Sequence, residues 1–140
     1  MNWKLILQLS LFGLAMGIAT VFVVHSNVEP IYWLVIFLIS SYLIATRAPS
    51  RWFLHGVCVG LANSVWVTGS HVLLFRQYIA NHPREAAMMA SMPLPTHPRV
   101  MMLITGPVIG LVSGIVLGLF AIVARKLVSS REAPTERPAH

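Results

Sequence analysis

The chain has no aspartate and only four glutamates, Glu29, Glu85, Glu132 and Glu136, among 140 residues. That scarcity leaves few paired carboxylates for general acid–base work and too few oxygen ligands for a calcium site. The one cysteine, Cys58, lies inside an apolar run, so no internal disulfide forms and no Cys-x-x-Cys pair exists. Charge of either sign is sparse: 10% of residues are charged, against roughly 25% in a soluble domain. The remainder is rich in what lipid accepts, with 56% hydrophobic residues. These proportions predict an integral membrane protein.

The formal charge is +6. In a soluble protein that would suggest nucleic acid, but no basic, aromatic-bearing face exists apart from the apolar runs, so no nucleic-acid partner is expected. Basic residues beside membrane spans have a simpler origin, because cytoplasmic loops collect Lys and Arg.

Four apolar runs are candidate spans, over residues 5–24, 28–46, 52–75 and 100–124. A spanning helix needs about 20 mostly apolar residues. The second run is short unless it borrows flanking residues. The first run is longer than the apolar core of a secretory signal, and no small-residue cleavage site ends it. The fold class expected is therefore all-α: a single four-helix transmembrane bundle over residues 1–126, its partner the lipid bilayer. The stretch 76–99 forms a loop between the third and fourth spans. Its Asn81 or His82 would cap a short helix opened by Pro83 and stopped by Pro93 and Pro95. Residues 127–140 are rich in Pro, Glu, Arg and Ser and are expected to form a disordered tail.

Counting Lys and Arg sets the orientation. Lys4, Arg47, Arg51, Arg125, Lys126, Arg131 and Arg137 fall on the side of both termini, and Arg76, Arg84 and Arg99 on the other. Seven against three predicts both termini in the cytoplasm and the 76–99 loop outside.

Helices meet in lipid where small residues permit close approach. The fourth run has Gly106, Gly110, Gly114 and Gly118, and the third has Gly56, Gly60, Ser64 and Thr68, each set at a four-residue spacing. The first has Gly13 and Gly17. These ladders either pack the chain's own helices together or, in the case of the fourth, meet a second copy in a homo-oligomer.

The third run, "HGVCVGLANSVWVTGSH", is also the most polar. On a wheel of about 100° per residue, Asn63, Ser64, Ser70 and His71 share one half, and Tyr78 joins them if the helix continues. Leu61, Val65, Val72 and Leu73 occupy the other. Such segregation predicts an inward-facing polar face, since a polar group facing lipid lacks a partner. His55 falls off this arc and is expected at the membrane interface, within reach of water.

No cofactor is expected. His55 and His71 are about 24 Å apart along a helix and cannot share a haem. A soft-metal alternative exists in the loop: His82, Met89, Met92 and His97 offer thioether and imidazole ligands of the kind copper(I) accepts, although methionines also pack adaptably at helix ends. No nucleophile, base and orienting group recur at a recognisable spacing, so no enzyme is expected.

The long third run leading into "YIANHP", the Met-containing loop and the closing "GLVSGIVLGLFAIVARK" together resemble small bacterial four-span membrane proteins of uncharacterised families. The resemblance implies a four-helix fold in a bacterial inner membrane and no particular activity. The expected role is non-catalytic, through helix packing, association or service as an accessory subunit. The alternatives are a small transporter or pore element with a polar path along the third helix, or the copper binder.

Overall fold

The computed structural model describes residues 1–132. They form six helices: α1 (Trp3–Phe22), α2 (Glu29–Arg47), α3 (Trp52–Leu73), α4 (Phe75–Asn81), α5 (Pro83–Ala90) and α6 (Pro98–Glu132). Among the described residues α1, α2, α3 and α6 are long and apolar enough to cross a membrane.

Local chemistry accounts for most helix ends. Asn2 caps α1, its Oδ1 accepting from the Leu5 N–H. Glu29 and Pro30 open α2 and Arg47 closes it, each suited to the partial charge at its end. At the far end of α1, Asn81 Nδ2 donates to the Val21 carbonyl at 2.7 Å, satisfying one of the acceptors a helix terminus leaves free. The third span is not one continuous helix. It breaks at Leu74 and resumes as α4. The fourth is longer than its apolar core. α6 continues past Lys126, where the sequence places the end of the membrane domain, to Glu132. The rest of the expected tail, 133–140, lies outside the described residues. At 35 residues α6 is about 50 Å long, more than the hydrocarbon thickness of about 30 Å.

α3 and α6 form the central pair, running antiparallel with their small-residue ladders face to face. Gly56 meets Gly118, Gly60 meets Gly114, Ser64 meets Gly110 and Thr68 meets Gly106. Each step of four up one helix matches a step of four down the other. The fourth-helix ladder that offered a surface for a second copy is thus occupied by α3 within the chain. Arginines mark both ends of the pair: Arg125 lies over the Trp52 ring and Arg99 over the Phe75 ring, at 5.5 and 5.2 Å.

α1 runs parallel to α3 on one flank, and α2 leans mainly on α6. A Cβ on Gly13 would lie 2.6 Å from the Asn63 Cα, so only glycine lets α1 approach so closely. α2 uses Ser40, Ser41 and Ala45 as its small buried residues. The apolar core gathers at the end that carries the amino terminus and Trp52, from Leu5, Ile6, Leu9, Ile44, Ala48, Val59, Leu117 and Ala121. Exposed apolar residues such as Leu7 and Leu11 of α1, Leu34 and Leu38 of α2, and Val108 and Val112 of α6 form the stripes that lipid would cover.

Candidate functional site

At the end opposite that core, α2, α3 and α6 line a partly open cavity of about 560 Å³, with α4 and α5 contributing at its edge. The volume falls in the range typical of small-molecule sites. Of the polar α3 face, Asn63, Ser64 and His71 line it, together with Thr68 and with Tyr78 from α4. Ser70 does not; it packs against Gly17 of α1. Phe37 lines the cavity and also packs on the apolar core, so it forms part of the floor between the two.

The polar face is tied to α1 as well as open to the cavity. Asn63 Oδ1 accepts from the Gly13 N–H at 3.2 Å. His71 Nε2 lies 2.8 Å from Thr20 Oγ1, whose hydroxyl also lies 2.8 Å from the Met16 carbonyl. With the hydroxyl donating to that carbonyl, the imidazole N–H donates to the hydroxyl oxygen. Trp66 Nε1 donates to Ser10 Oγ lower on the same flank.

His55 departs from expectation. It is 1% exposed, not in contact with water. Its Nδ1 donates to the Arg51 carbonyl and its Nε2 accepts from the Asn2 N–H at 2.9 Å. Backbone groups thus replace water at both nitrogens. His55 binds the start of α1 to the first turn of α3.

At the edge of the cavity the rings of His71, Tyr78 and His82 stack, with centroids 4.1 and 4.6 Å apart. Seven residues rise about 10.5 Å along an unbroken helix. The break at Leu74 lets the rings of His71 and Tyr78 come together despite that spacing. His82 Nδ1 donates to the Tyr78 carbonyl, and its Nε2 is buried without a hydrogen-bond partner among the described residues.

The copper alternative required His82, Met89, Met92 and His97 to converge. Met89 and Met92 line the cavity, with Met88 and Met102, but the two histidines are not among its lining residues. His97 is exposed and pairs with the neighbouring Thr96 hydroxyl at 2.9 Å.

The sequence reading made neither acidic lining residue, Glu29 or Glu85, a site candidate. Trp33 Nε1, which lies beside the same cavity, donates to Glu29 Oε1 at 3.0 Å. Burial raises the Glu85 carboxyl, but the Ser26 hydroxyl, its own backbone N–H and the charges of His82 and Arg84 outweigh it, so the group sits below its usual value. Burial, followed by the charges of Glu85 and Glu29, pushes the Tyr78 phenol up to about 12. The phenol therefore stays neutral at physiological pH. The signal was present in the sequence, since these are the only two acids before residue 132.

Compared with protein families, with curated proteins and with solved structures, the chain has no match.

Proposed function

We propose that this is a non-catalytic multi-pass membrane protein that binds a small amphipathic molecule in the cavity between α2, α3 and α6. The observation that carries the proposal is the polar α3 face, which borders open space of ligand size instead of being wholly consumed by helix contacts. Aromatic rings and methionines supply an apolar lining, while Asn63, Ser64, Thr68 and His71 supply a few directional groups. The basic residues support an orientation with both termini in the cytoplasm and the cavity in the outer half of a bacterial inner membrane.

A pore within one chain finds less support. The packed core from Leu5 to Ala121 fills the half nearest the termini, and none of its buried residues lines the cavity. Binding is favoured over conduction.

The test is saturable binding of an uncharged aromatic probe, triphenylphosphine oxide, to purified protein in a neutral detergent. Ser113 lines the cavity and is half-buried. Ser113→Phe fills part of that volume and is expected to reduce affinity at least about tenfold, equivalent to about 1.4 kcal/mol. Equal binding by the filled variant would contradict the proposal.

A further inference from the structure

Up to residue 126 the chain holds two carboxylates and eight Lys or Arg side chains. Both carboxylates line one cavity, and none of the eight basic residues does. In a molecule where bases outnumber acids four to one, that partition makes the cavity its most acidic recess. Placing ionised groups in a partly desolvated space is costly unless something compensates them. The hydrogen-bond partners, the Trp33 indole N–H on Glu29 and the Ser26 hydroxyl on Glu85, are neutral and orient the carboxylates, while the charges of His82 and Arg84 offset Glu85 only from outside the cavity lining. Much of the remaining wall is aromatic and thioether: Trp33 and Phe37 offer ring surface that attracts cations, Tyr78, stacked between His71 and His82, contributes its edge, and the methionines of the 83–92 segment offer soft, adaptable surface.

We infer that the cavity selects a hydrophobic organic cation, its charge met by Glu29 and Glu85 and its apolar body by Trp33, Phe37 and Tyr78. The inference rests on the binding role proposed above and adds the sign of the ligand. A small inorganic cation would leave most of the 560 Å³ and its aromatic wall unused. An anion would face two carboxylates and no Lys or Arg.

The test compares ions of nearly equal shape and opposite charge. Tetraphenylphosphonium and tetraphenylborate are each dialysed to equilibrium against the full-length protein in neutral detergent, with empty micelles subtracted. Saturable binding of tetraphenylphosphonium, at least about tenfold tighter than any binding of tetraphenylborate, is the expected result. Glu29→Gln and Glu85→Gln are each expected to lower the affinity for the phosphonium, relative to that for triphenylphosphine oxide, about tenfold. Both variants preserve size and hydrogen-bonding capacity, and retained binding of the neutral probe reports that the fold is intact. Equal affinity for the two ions, or unchanged phosphonium binding in both glutamine variants, would overturn the inference. If the neutral probe still bound and Ser113→Phe still reduced it, the binding role would survive that outcome. No saturable binding of any of the three probes would overturn both.

Discussion

His55 and His71 lie on one helix, both almost fully buried, and serve different neighbours. His55 holds the backbone at the start of α1, with one nitrogen on the Arg51 carbonyl and the other on the Asn2 N–H. His71 holds the far end of that flank through Thr20 and presents its ring to the cavity. Removing the first should therefore cost stability with little effect on the cavity. His55→Leu leaves the Asn2 N–H without its acceptor, a loss of about 1–3 kcal/mol. Unfolding in a mixed-micelle denaturant titration should show that loss, with probe affinity of the folded protein unchanged. Wild-type stability in His55→Leu would mean that the contact at Asn2 contributes nothing. The wheel set His55 off the polar arc. It could not show that the amino terminus folds against it, because that contact joins residues 53 positions apart.

At the scale of elements, the α3–α6 pair was largely legible. The two small-residue ladders share spacing and length, and the close approach that small residues permit makes such stripes contact surfaces within lipid. Their mutual pairing, rung against rung, needed the structure, since the ladder of the fourth run was also compatible with a second copy. α2 was less readable. Its contact residues, Ser40, Ser41 and Ala45, contain no glycine and are easily passed over in a run of Ile, Leu and Phe. The break at Leu74 had no sequence signal, as neither proline nor glycine marks it. A contrast between two glycines tests the ladder pairing. A Cβ at Gly60 would collide with the α6 backbone around Gly114, whereas a Cβ at Gly69 would meet nothing within 4 Å. Gly60→Ala is expected to destabilise by about 1–3 kcal/mol through overpacking. Gly69→Ala should be neutral or slightly stabilising, since alanine is the better helix former. The same denaturant titration measures both, and equal effects at the two positions would contradict the ladder pairing.

At the scale of the molecule, the bundle divides into a packed apolar half around Ile44, Val59 and Leu117 and a half that contains the cavity. The four spans were visible in the apolar runs because length and hydropathy alone determine which segments suit a bilayer. The cavity was only half visible. Its α3 wall followed from the wheel, but its acidic wall comes from the first turn of α2 and from α5, which periodicity in one helix cannot bring together. The most direct measurement is to crosslink a diazirine-bearing triphenylphosphonium probe to the protein in lipid nanodiscs and map the labelled peptides by mass spectrometry. Labels concentrated in the first turns of α2, the 83–92 segment and residues 102–113 of α6, and displaced by excess tetraphenylphosphonium, are the predicted result. Labels spread along the exposed stripes of Leu7, Leu11, Leu34 and Leu38, and indifferent to competitor, would contradict it.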